Sequence, residues 1–150
     1  MNEQLYQAIY DAALEVHSTL GGPGLLESIY ESALCHELTT RGLTNQRQLP
    51  IPVIYKNTPV RDPLYLDILV ENQIIIEVKA TGKDYPYYQA QLATYLRLAN
   101  IPYGILINFG KDNIEEGILK MERSKAKLDL QLLTPEKSTN LKLANGLLTR

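Results

Sequence analysis

Two acids and a lysine, Asp67, Glu77 and Lys79, are the residues of this chain whose types and spacing best suit chemistry. Side chains alternate between faces along a strand. Over residues 64–80 the even positions, Leu66, Ile68, Val70, Ile74, Ile76, Val78 and Ala80, are apolar apart from the turn residue Asn72. That face must look into a core. The odd positions put Asp67, Glu77 and Lys79 together on the other face, with Leu69 and Ile75 nearer the turn. A turn centred on Asn72 sets Asp67 directly across from Glu77. Like charges so opposed are destabilising, unless a cation lies between them or one carboxyl keeps its proton. Two carboxylates suit Mg²⁺, which takes few protein ligands and several waters. Lys79, one alternation beyond Glu77, reaches toward the same place. The alternative is a solvated face with scattered charges. Leu69 and Ile75 on that face argue that it is covered, which favours a pocket with paired carboxylates.

The elements that must hold these residues read as follows. Leu5, Ile9, Ala12, Ala13, Val16 and Leu20 recur at helical spacing, so residues 3–20 are expected to form an amphipathic helix. Gly21-Gly22-Pro23-Gly24 ends it. A second helix is expected over 26–41, with Ile29, Ala33, Leu34 and Leu38 toward the core. Leu49–Tyr55 alternates as a strand, but Pro50 and Pro52 lack an N–H and consign it to an edge. Two strands, 64–71 and 73–80, surround the turn at Asn72. Pro86–Asn100 is a helix with proline in its first turn. Tyr103–Phe109 is a buried strand, and Ile114–Met121 a weak one containing Gly117. The order helix, helix, three strands, helix, strand, strand describes one α/β domain over 1–123. A basic tail, expected to be flexible, follows at 124–150.

Composition bounds the function. The 150 residues carry 15 Lys and Arg against 17 Asp and Glu and are 45% hydrophobic, which excludes a disordered chain. No apolar run approaches the roughly 18 residues of a membrane helix, so no membrane association is expected. The first residues show no basic-then-apolar pattern of a secretory signal. The single Cys35 fits a reducing compartment, so the expected location is cytoplasmic. Charge is uneven: residues 1–122 hold nine bases and fifteen acids, whereas six bases and two acids follow from Arg123 onward. The acidic body offers no obvious track for a long nucleic acid, although the tail could supply one.

Other candidates have plain alternatives. Glu27 lies in the first turn of the second helix, where a carboxylate is favourable for electrostatic reasons alone. Tyr30 shares its face and either bonds that carboxylate or packs. Gln91 and Tyr95 are spaced to project together from the third helix. Tyr85, Tyr87 and Tyr88 precede or open that helix, and tyrosines so clustered either stack on bases or pack the loop. His17 and His36 have no second ligand at metal spacing and are expected to be structural or exposed. Neither a glycine-rich phosphate loop nor a serine or cysteine nucleophile triad is present.

Asp67 followed by Glu77-Val78-Lys79 resembles the PD-(D/E)xK nuclease superfamily, although Leu66 stands where a proline is usual. Gly24-Leu25-Leu26-Glu27-Ser28-Ile29-Tyr30 resembles the signature of the GxxExxY protein family, a branch of that superfamily. Tyr65–Val70, Ile76–Ala80, Gln91–Leu96 and Leu106–Gly110 come in the same order, so the resemblance spans roughly residues 5–122. The family pattern favours a His shortly before the Gln, where this chain has Tyr88. The resemblance implies a three-layer α/β/α sandwich around a mixed central sheet, the restriction-endonuclease-like fold. It implies metal-dependent hydrolysis of phosphodiesters, in DNA before RNA. Asp67, Glu77, the Val78 carbonyl and Glu27 would hold one or two Mg²⁺ or Mn²⁺ ions. Lys79 would orient water or stabilise developing charge. Gln91 would contact a phosphate or the metal's waters, with Tyr30 and Tyr95 touching substrate or supporting the site. A homodimer would suit cleavage of both strands of a duplex. The alternatives are a catalytically idle fold that binds nucleic acid or a protein partner, and an assembly subunit.

Overall fold

The computed structural model describes residues 1–123; the expected basic tail at 124–150 lies outside the described residues. Helix α1 spans Glu3–Thr19 and begins at Asn2, whose side-chain oxygen accepts from Gln4 N and Leu5 N. Such a cap satisfies amides that the first turn leaves unpaired. Helix α2 spans Glu27–Thr40. Its buried stripe is Tyr30, Leu34 and Leu38, joined by Glu31. Ile29, expected in the core, is instead 42% exposed. The physical reason is Tyr30, whose ring stacks on Phe109 with centroids 4.9 Å apart. This larger side chain takes the core-facing position and turns Ile29 outward.

Strand β1 covers Asn45–Tyr55, β2 Thr58–Val70 and β3 Ile74–Lys79. Helix α3, Pro86–Leu98, crosses to strand β4, Tyr103–Asn108, and β5 covers Ile118–Glu122. The five strands lie side by side in chain order. Among the described residues only β3 and β4 run parallel, a pairing that needs the α3 crossover. The other neighbours are antiparallel.

One face of the sheet, including Ile68, Val70, Ile74, Ile76 and Val78, packs under α1 and α2. The other face packs Leu69, Ile75 and Leu106 against Leu92, Ala93 and Leu96 of α3. Each such fully buried aliphatic side chain contributes about 1.5–3 kcal/mol. The result is the expected three-layer α/β/α arrangement with a mixed sheet. Among the described residues no helix is long and apolar enough to cross a membrane.

Three strands depart from expectation, β1 by beginning at Asn45, four residues before Leu49. Strand β2 begins at Thr58, six residues early, through a tight turn in which Lys56 and Asn57 have φ of 48° and 63°. Pro59 and Pro63 disguise this stretch. They are tolerated because, among the described residues, β3 pairs only with Ile68–Val70 and the outer half of β2 is paired on one side alone. The expected strand at 114–121 starts only at Ile118. Ile114–Gly117 is a 3-10 helix begun by Asn113, whose side chain accepts from Glu115 N.

Candidate active site

The β2–β3 register pairs Ile68 with Ile76, Leu69 with Ile75 and Val70 with Ile74, as a turn centred on Asn72 requires. One step farther from the turn, Asp67 meets Glu77 and the ladder gives way to side chains. Val78 N donates to Asp67 Oδ2 at 2.8 Å, and Asp67 N donates to Glu77 Oε1 at 3.4 Å. The strict alternation expected of β2 fails here. Leu66 packs on the α3 side with Ile51 and Ile75, whereas Ile68 packs under α1 and α2. The cause is local: Gln48, at the matching position of β1, has φ of 51°, in the left-handed region.

Only 2% of Glu77 is exposed. Burial and the adjacent Asp67 push its carboxyl up to about 9, against the pull of Lys79. Asp67 is raised by burial too, with the Val78 amide opposing. The two acids therefore titrate as one unit and share a proton at neutral pH when no cation is present.

Lys79 Nζ donates to Gln91 Oε1 at 2.9 Å and lies 4.7 Å from the centre of the Tyr88 ring. Gln91 Nε2 donates to Tyr95 Oη at 3.1 Å. The i, i+4 spacing brings Gln91 and Tyr95 together as expected, and Gln91 alone of the two bonds the lysine. Gln91 thus links the Lys79 ammonium to the Tyr95 hydroxyl. Tyr95 is buried, and the Glu77 charge adds to burial in raising its phenol.

Glu27 opens α2 and is mostly exposed. Its carboxyl is raised by partial burial; Lys79 pulls it down, and Asp67 and Glu31 push it up. It stands within electrostatic reach of the pair without joining it. Among the described residues no three His, Cys, Asp or Glu side chains gather into one ligand set. Glu27, which the resemblance implies as a further metal contact beyond Asp67, Glu77 and the Val78 carbonyl, opens α2 at an exposed position near the pair. Tyr30 is also clarified: its hydroxyl donates to Gly22 O at 2.8 Å and accepts from Leu25 N at 3.1 Å. It clasps the glycine-rich turn that launches α2 and does not touch the Glu27 carboxylate.

Sequence reasoning missed a second acid. Glu31, 4% exposed, accepts from Arg47 Nε and Gln48 Nε2, both at 2.8 Å. Gln48 Nε2 also lies 3.4 Å from Asp67 Oδ1, tying α2 and β1 to the acid pair. A usable signal existed, since Glu27 and Glu31 are like charges at i, i+4 and repel unless something intervenes. Asn108 was likewise passed over. Its Oδ1 accepts from Thr81 N and Gly110 N, and its Nδ2 donates to Asp84, itself paired with Lys111 at 2.9 Å. This network anchors the loop that leaves β3 just past Lys79. Gly110 is required there, because any Cβ would collide with the Thr81 backbone. His17, expected to be structural or exposed, is buried and bonds Lys111 O at 2.8 Å.

The donor chemistry fits a divalent cation. Asp67 and Glu77 offer only oxygen, a backbone carbonyl adjoins them at Val78, and a buried acid pair gains most from a cation that lets both ionise. Mg²⁺ characteristically accepts one or two carboxylates and keeps its remaining waters. No curated protein and no solved structure matches this chain. Residues 3–121 do match the family model of the PD-(D/E)XK nuclease superfamily, a span that contains every side chain of the site. With an acid pair at a ladder break and a lysine beside it, the chain belongs to the PD-(D/E)XK nuclease superfamily.

Proposed function

We propose that this chain is a divalent-metal-dependent nuclease of the GxxExxY branch that hydrolyses phosphodiester bonds in DNA. The observation that carries the reading is the buried Asp67–Glu77 pair beside a lysine already held by a side-chain relay. Asp67, Glu77 and the Val78 carbonyl would hold Mg²⁺ or Mn²⁺. Bound there, the ion supplies Lewis acidity toward a phosphoryl oxygen and an acidified water.

The chain's own groups do the rest. In hydrolysis a water oxygen bonds to phosphorus, one ester P–O bond breaks, and the departing oxygen gains a proton. Negative charge gathers on the phosphoryl oxygens meanwhile. The Lys79 ammonium is oriented by Gln91 and Tyr95 and meets that charge without having to reorganise. Glu31 and Gln48 keep Asp67 from swinging out of the gap between strands.

Two measurements test the reading. Calorimetric titration of Mg²⁺ or Mn²⁺ should show binding to wild type and none to Asp67→Ala; equal binding would remove the metal assignment. Linear, circular and single-stranded DNA incubated with Mn²⁺ should be cut by wild type and left intact by Lys79→Ala. Metal binding with no cleavage of any substrate would favour a binding module instead.

A further inference from the structure

Tyr88 accounts for the packing of its loop: it is 5% exposed and its ring lies under the Lys79 ammonium. Tyr85 and Tyr87 are different. They remain 43% and 54% exposed, though each contacts the Tyr88 ring, at centroid distances of 5.3 Å and 4.6 Å. Both contacts are edge-on, at 79° and 65°. The two outer rings lie 5.9 Å apart and are tilted 36° to each other. Each outer ring centre is thus within about 10 Å of Lys79 Nζ, the ammonium-to-ring distance plus one ring-to-ring distance. The platform is held rigid from behind. Asp84, next to Tyr85, is tied to both Asn108 and Lys111, and Pro86 fixes the first turn of α3.

Exposed aromatic rings on an anchored loop beside a phosphate-handling lysine have a clear use. A nucleobase offers a flat face of any sequence to a tyrosine. In continuous duplex both faces of every base are already covered by neighbours, so only an unpaired base is available. Stacking also supplies affinity where charge does not, and the described residues hold ten bases against fifteen acids.

We propose that Tyr85 and Tyr87 form a stacking platform for an unpaired nucleobase next to the phosphate attended by Lys79, which makes single-stranded or locally unpaired DNA the substrate class. The proposal rests on the nuclease reading of the same site and deepens it.

The test measures binding apart from cleavage. Fluorescence anisotropy of a short labelled oligonucleotide, single-stranded and as a blunt duplex, is recorded in Ca²⁺ for wild type, Tyr85→Ala/Tyr87→Ala and Tyr85→Phe/Tyr87→Phe. Wild type should prefer the single strand. The alanine pair should lose about five- to hundredfold on the single strand alone, and the phenylalanine pair should keep its affinity. A duplex preference in wild type, or an alanine loss equal on both probes or absent, overturns the platform. Cleavage with Mn²⁺ is then read separately. A tyrosine-dependent single-strand preference without cleavage sustains the platform and refutes the hydrolase. Cleavage with no such preference refutes the platform and leaves the nuclease standing.

Discussion

Replacing Glu77 by glutamine should make the metal-free protein more stable at alkaline pH, and the size of the effect follows from its environment. Unfolded, the Glu77 carboxyl ionises near its ordinary 4.5; folded, burial and Asp67 hold it at about 9. Between those values the folded chain keeps a proton that the unfolded chain has released. Stability therefore falls as pH rises through this window. The limiting slope is about 1.4 kcal/mol per pH unit. Wild type in EDTA thus loses up to about 4 kcal/mol between about pH 5 and pH 8, from a total that for such domains is about 5–15 kcal/mol. Asp67, also raised, contributes in the same direction at the acid end. The amide of the Glu77→Gln variant mimics the protonated acid and has no proton to release, so its denaturant midpoints should stay nearly level. The two curves should separate to about 2–4 kcal/mol near pH 8. Adding Mg²⁺ should reverse the order, because mass action stabilises only the protein that binds the ion. Parallel pH slopes for the two proteins in EDTA would refute the buried-acid reasoning.

The remaining predictions concern the supports of the site. Gln91→Ala releases the Lys79 ammonium and should lower kcat about tenfold, or roughly 1.4 kcal/mol, with KM little changed; a rise in KM alone would make Gln91 a substrate contact. Tyr30→Phe loses the clasp on Gly22 and Leu25 and should cost about 1–2 kcal/mol in thermal unfolding; an unchanged melting point would show that the turn is held by other groups. Gly110→Ala forces a methyl against the Thr81 backbone and should cost about 1–3 kcal/mol. It should also weaken metal binding, since the displaced loop leaves β3 beside Lys79, and intact affinity would separate loop from site.

The parts of the molecule legible in the sequence are those specified by local pattern. The three helices begin and end within about two residues of expectation, because glycine and proline punctuate strong apolar periodicity. The Asp67–Glu77 opposition was readable because the turn fixes hairpin register. What escaped depends on partners far along the chain. The outer half of β2 carries Pro59 and Pro63, which fit because among the described residues it is paired on one side alone. The rotation of α2 is decided by Phe109, distant in sequence from Tyr30. Glu31 looks like a surface residue until β1 brings Arg47 and Gln48 against α2, and nothing local announces a left-handed glutamine. The i, i+4 spacing of Gln91 and Tyr95 was plain, yet their engagement with Lys79 required the docking of α3 on the sheet.

Because strand order equals chain order, the hairpins of β1–β3 can close from local segments, whereas β4 must await the α3 crossover. Local closure is fast and the long connection slow. Asp67 and Glu77 are therefore brought face to face early in folding, while solvent still surrounds both and each can remain ionised. The environment that disfavours their charges is completed only when α3 seals its side of the sheet. Uptake of a proton or a cation is consequently a late event in refolding. A cation should thus leave early hairpin closure unaffected and chiefly slow unfolding, so that its stabilising effect is seen as a longer lifetime of the finished fold.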